Sequence, residues 1–135
     1  MRNGEHQMID HVSVSVTDLA AARTFYVEIL EKIGLCELVS REHSVGFGKS
    51  YPEFWLNERP NMGAVAQDCG AHVCFRCPSK DAVIGFHTVA LAKGGSDAGM
   101  PRDRQGAKTP YFGAFIFDLD GNKIEVVTFP REATA

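Results

Sequence analysis

Three residues stand out as able to do chemistry together: His11, His72 and Glu125. His11 opens the run His11-Val-Ser-Val-Ser-Val-Thr-Asp18, and His72 opens His72-Val-Cys-Phe-Arg-Cys77. Glu125 lies in the β-rich run Lys123-Ile-Glu-Val-Val127. In an extended chain alternate residues share a face, so His11, Ser13 and Ser15 point one way and Val12, Val14 and Val16 the other. Likewise His72, Cys74 and Arg76 oppose Val73 and Phe75, and Glu125 lies opposite Ile124 and Val126. Two imidazoles and a carboxylate suit a divalent transition metal with open coordination positions. Water or a substrate oxygen bound there is polarised. Taken singly, a histidine at a strand start is more often a core or surface residue than a ligand, and a terminal-strand glutamate more often meets solvent. An internal repeat raises the weight of the metal reading.

The repeat appears when the chain is slid along itself. With His11 set on His72, Phe25 falls on Phe86, Leu30 on Leu91, Lys32 on Lys93 and Gly34 on Gly95 without a gap. Each half begins with a short strand, then a turn in which Thr17, Asp18 or Ser79 can cap a helix. Leu19, Ala22, Phe25, Tyr26, Ile29, Leu30 and Ile33 recur at helical spacing, as do Val83, Phe86, Val89, Ala90 and Leu91. Gly34 and Gly95 are suited to the position just past a helix end. Extended runs follow at 36–40, 43–48 and 53–57 in the first half, and at 111–119 and 123–129 in the second. The polar, Gly- and Pro-containing stretch 96–110 reads as a loop, with room for one edge strand, that can move over a site. Asp118-Leu-Asp-Gly-Asn122 is a hairpin turn. The sequence thus predicts two βαβββ units, one over about 8–58 and the other over about 70–129, within one domain spanning 1–135. A single unit leaves a sheet face bare, so the two must pack together or across a dimer.

The 135 residues are 44% hydrophobic and 23% charged, ordinary for a globular domain. The net charge of −3 argues against a protein that binds nucleic acid by neutralising phosphates. No apolar run approaches a membrane span. The first ten residues lack the apolar core of a signal peptide, which predicts a cytoplasmic protein. Its four cysteines, Cys36, Cys69, Cys74 and Cys77, then read as reduced thiols. Cys74 and Cys77 form a C-x-x-C, but on a strand residues three apart diverge, and no second pair completes a tetrahedral site. They read as small buried residues. Phe47, Trp55, Tyr111 and Phe115 can line an apolar ligand cavity, although aromatic stripes are more often core. Arg76 shares the His72 face, while Arg102, Arg104 and Lys108 read as solvated loop charges. His6, His43 and His87 read as incidental, with His87 exposed on its helix.

The His-initiated strands, the two βαβββ halves and the ending Asp-Leu-Asp-Gly-Asn-Lys-Ile-Glu-Val-Val resemble the vicinal oxygen chelate superfamily. Its members include glyoxalase I, extradiol dioxygenases, fosfomycin-resistance thiol transferases, methylmalonyl-CoA epimerases and bleomycin-resistance proteins. The likeness runs from about Met8 to Phe129, with Leu119 where Pro is usual. It implies an α+β fold whose mixed sheet curls around a central cavity, and single-domain members that are commonly homodimers. By position, His11, His72 and Glu125 match the family's metal ligands. Glyoxalase I adds a glutamate on the last strand of the first half, where this chain has Trp55. Glu53 lies two residues earlier on the same face. The resemblance implies a metal-dependent enzyme (iron, manganese, zinc or nickel) acting on a small oxygen-bearing substrate, thiol-conjugated in some branches. Glu53, Phe47, Trp55, Arg76 and Tyr111 are its candidate substrate contacts. The alternative is a metal-free protein that binds or sequesters a drug-like molecule.

Overall fold

A computed structural model describes residues 8–130 of the chain; His6 lies outside them. The first unit comprises β1 (Val12–Val16), α1 (Leu19–Glu31), β2 (Cys36–Ser40), β3 (Ser44–Gly48) and β4 (Phe54–Glu58). The second comprises β5 (Val73–Arg76), α2 (Lys80–Ala92), β6 (Ser96–Gln105), β7 (Pro110–Phe117) and β8 (Lys123–Thr128). Each unit forms a mixed four-stranded sheet, ordered β1-β4-β3-β2 and β5-β8-β7-β6. In each, the first strand runs parallel to the last, which its helical crossover makes possible. Among the described residues the fold is α+β with two helices, as expected from the repeat. The two sheets stay separate and do not close into a barrel. No helix among the described residues is long and apolar enough to cross a membrane.

Local chemistry accounts for both helices. Asp18 caps α1 by accepting from the Ala21 N–H, and Ser79 caps α2 by accepting from the Ala82 N–H. These side chains satisfy amide donors that a helix start leaves without partners. The helix faces bury Phe25, Tyr26, Ile29 and Leu30 from α1, and Val83, Phe86 and Ala90 from α2. They pack on alternate strand residues: Val45, Phe47, Phe54 and Leu56 in the first unit, and Ala114, Ile116, Ile124 and Val126 in the second. Phe54 and Phe75 meet edge to face at 5.1 Å, so the core is continuous between units.

Several sequence expectations need correction. The stretch 96–110 is mostly strand. It was obscured because β6 slips register against β7 between Asp97 and Gly99 and again between Gly99 and Arg102. As an edge strand β6 also tolerates Pro101, which offers no ladder donor. His87 is buried, not exposed: it occupies the place of Tyr26, and its Nε2 lies 2.8 Å from Asp97 Oδ1. Leu91 takes the exposed position instead. At the end of α2 the left-handed residue is Gly94 (φ 107°) and not Gly95, whereas Gly34 (φ 85°) terminates α1 as expected.

Phe25 and Phe86 occupy equivalent turns and are both almost wholly buried. Phe25→Ala is expected to lower stability by about 3–5 kcal/mol in denaturant melts, and a loss under about 1 kcal/mol would contradict this packing.

Candidate functional site

The register between first and last strands fixes where each candidate side chain stands. Cys74 is opposite Glu125 on β5 and β8, and Ser13 is opposite Trp55 on β1 and β4. Trp55 and Glu125 therefore occupy equivalent places in the two sheets. Both point away from the helices, since their neighbours Phe54, Leu56, Ile124 and Val126 are buried in the core.

In the second unit three candidates converge. His72 Nε2 lies 3.0 Å from Glu125 Oε1, and the Tyr111 hydroxyl donates to Glu125 Oε2 at 2.8 Å. Glu125 is only 6% exposed, so these two partners offset the cost of taking a carboxylate out of water. Desolvation, reinforced by the hydrogen bond to Glu125, pushes the Tyr111 hydroxyl up to about 12. Tyr111 thus remains a proton donor at neutral pH. Phe115 packs edge-on against the His72 ring at 5.7 Å, and Arg76 sits over Phe129 at 4.7 Å. A cleft of about 470 Å3 opens here, with Cys74, Arg76, Lys108, Tyr111 and Glu125 in its walls.

The first unit holds its histidine differently. His11 Nδ1 lies 2.7 Å from Asp10 Oδ2, and the Tyr51 hydroxyl donates to Asp10 at 2.8 and 2.9 Å. A carboxylate on one ring nitrogen fixes the imidazole's orientation, as the partners of metal-binding histidines do. Asp10 and Tyr51 were not singled out from the sequence. The position of Asp10 next to His11 was the available signal.

His11 does not join the other two. The Asn122 amide donates to the Ser15 carbonyl at 2.9 Å, and the Thr17 N–H and hydroxyl donate to Asp120 Oδ1 at 3.1 and 2.7 Å. The end of β1 thus lies against the start of β8. Because β8 is parallel to β5, His72 lies near that end of β1, while His11 sits at its other end. Both histidines border one groove of about 520 Å3 between the units, shared with Glu53, Cys74 and Arg76. Phe47 forms part of the groove's apolar back and is fully buried against Tyr26 and Phe54. Among the described residues, no group of three or more His, Cys, Asp or Glu side chains is arranged to hold a metal ion. The donor set of one chain, His72 with Glu125, therefore falls short of the expected two-histidine, one-carboxylate site.

Trp55 lies on the open sheet face, its ring laid across Gly46 so closely that a Cβ there would meet ring carbons at 3.0 Å. Glu53 precedes β4 at the groove lip and does not replace Trp55 at the position matching Glu125.

With this geometry, comparison with known proteins gives a clear answer on family. The model of the Glyoxalase/Bleomycin resistance protein/Dioxygenase superfamily matches residues 8–126. The chain belongs to this superfamily. A glyoxalase/bleomycin resistance protein from Albidiferax ferrireducens T118 is 27% identical, with a TM-score of 0.81 over 91% of this chain and 100% of that one. Lactoylglutathione lyase from Agrobacterium tumefaciens shares the fold at 22% identity and TM-score 0.63, over 94% and 97% of the two chains. A glyoxalase/bleomycin resistance protein/dioxygenase family enzyme from Burkholderia phytofirmans PsJN shares it at 16% identity and TM-score 0.67, over 88% and 96%. A search of curated proteins returns no match. The superfamily includes enzymes, and its members typically use divalent metals.

Cys74 departs from expectation: the residue is exposed at the cleft while its thiol is drawn against Glu125, and Cys77 is half-buried, so neither is a small core residue. Desolvation first, and then the Glu125 charge, push the Cys74 thiol up to about 12. Since the thiolate is the nucleophile, an exposed Cys74 should be alkylated slowly. Glu125→Gln is expected to speed its labelling by iodoacetamide at pH 8 about tenfold, read by peptide mass spectrometry. An unchanged rate would show that Glu125 does not act on the thiol.

Proposed function

We propose that this protein is a metal-dependent enzyme acting on a small oxygen-bearing substrate, with Glu125, His72 and Tyr111 at its reacting centre. The observation that carries this reading is the Glu125 carboxylate, buried at the wall of an open cleft and held between His72 Nε2 and the Tyr111 hydroxyl. A carboxylate so placed can accept a proton from substrate. Tyr111, held protonated, can donate to an oxygen on which negative charge develops. Arg76 and the aromatic rings of Phe115 and Phe129 limit the approach to this centre.

The third metal donor comes, in this reading, from His11 of a second copy. His11 is oriented by Asp10 and Tyr51, and it stands at the place in the repeat that His72 occupies in the other unit. A homodimer that set the open face of one chain's first unit against the second unit of the other would bring His11, His72 and Glu125 together. A bound iron, manganese, zinc or nickel ion would supply polarisation of a substrate oxygen. With Trp55 in place of a fourth protein ligand, positions remain for water or a bidentate substrate. The exposed thiols of Cys36, Cys69 and Cys74 suit a reducing, cytoplasmic setting.

Metal analysis of untagged, chelator-free protein tests this directly. Wild type should hold close to one equivalent per chain, and His11→Ala and His72→Ala should each lose it. Co-expressing the two variants should restore about a quarter of the wild-type metal, because half the dimers are mixed and each mixed dimer has one intact site. Full metal in His11→Ala would refute the ligand from a second copy. A wild type that takes up none of the four metals would instead favour a metal-free binding protein.

A further inference from the structure

The open face of the first sheet carries a cation that the proposed chemistry leaves unused. Arg41, between β2 and β3, places its guanidinium carbon 5.1 Å from the centroid of the Trp55 ring. Trp55 is itself fixed from below, its ring laid against Gly46, the residue opposite it on β3. Among the described residues no carboxylate pairs with Arg41. Asp10, the acidic residue among those lining the same cleft, has its oxygens on His11 and Tyr51. The cleft holds about 350 Å3, and Ser13, Ser44 and Asn57 add polar groups to its wall.

We propose that Arg41, seated on Trp55, is an oxyanion subsite that receives a carboxylate or phosphoryl group of the ligand. A guanidinium supported on an aromatic face is attracted by the ring and loses little freedom on binding. Its N–H edge remains free for two parallel hydrogen bonds to a planar or tetrahedral oxyanion. The hydroxyls of Ser13 and Ser44 and the Asn57 amide supply further donors on the same wall. The ligand class that fits is a small anion, with the charged group at Arg41 and the remainder extending toward His11. The last point rests on the enzyme reading above; the anion subsite itself does not.

Trp55 is the only tryptophan in the chain, so its fluorescence reports on this subsite alone. Chelator-treated protein would be titrated with benzoate and, separately, with inorganic phosphate, against sodium chloride at matched ionic strength and against neutral benzamide. A saturable change with either oxyanion, absent with chloride and benzamide, is expected, and the stronger of the two identifies the group recognised. Arg41→Ala should weaken binding at least about tenfold by calorimetry, and Arg41→Lys, which keeps the charge but not the fork, by a smaller factor. Binding by chelator-treated protein separates this subsite from the metal reading, and Arg102→Ala, which removes an exposed cation on β6 outside this cleft, should bind as wild type does. Because Arg41 is exposed, both Arg41 variants should melt as wild type does. No saturable response to either oxyanion, or equal affinity in Arg41→Ala, would overturn the proposal.

Discussion

The turn between β7 and β8 holds the two halves of the molecule in their relative positions. Tyr26, at the centre of α1, is fully buried and donates its hydroxyl to Asp118 Oδ2 at 2.6 Å. Burial pushes both the hydroxyl and the carboxyl upward, yet Asp118 is not stranded. It also accepts from the Asp120 and Asn122 N–H groups and from the Asn122 amide. The turn's other side chains reach across to β1 and Thr17. A buried carboxylate with this many donors is strongly specified in geometry, because losing one partner leaves a desolvated charge. The offset of β1 against β5, and with it the distance between His11 and His72, follows from that turn.

The repeat made the fold legible. The caps Asp18 and Ser79, the buried Phe25 and Phe86, and the turn at Asp118 all carry local signals that tertiary packing reinforces. The strand β6 was not legible. Its bulges break the period-two pattern, so alternation could not be read within the segment, although its partner β7 follows directly in a hairpin. His87 failed for a related reason. A polar residue on an apolar helix face reads as exposed unless its partner is visible, and Asp97 sits inside that same irregular strand.

The candidate site divides along the same line. The equivalence of Trp55 and Glu125 follows from strand register; in the sequence it rested on the superfamily resemblance, since the ungapped repeat sets Trp55 on Ile116. The meeting of His72, Glu125 and Tyr111 needed β7 and β8 to be neighbours, and the hairpin signal supplied that. The support of His11 by Asp10 and Tyr51 draws on residues outside any strand, where no periodicity operates. Both units nonetheless arrive at a tyrosine, a carboxylate and an imidazole in contact. The imidazoles are equivalent, but the carboxylates and tyrosines come from non-equivalent positions, so sliding the sequence along itself could not reveal the likeness.

Two of the four edge strands, β2 and β6, depart from regular pairing: β2 shifts register between Glu37 and Val39, and β6 shifts twice. Such kinks twist a bare edge out of the plane in which another strand could add to it. Growth of a sheet into a fibre-like array through either of these edges is thereby disfavoured. The irregularity that hid β6 from the sequence also keeps that edge from serving as a template for another strand.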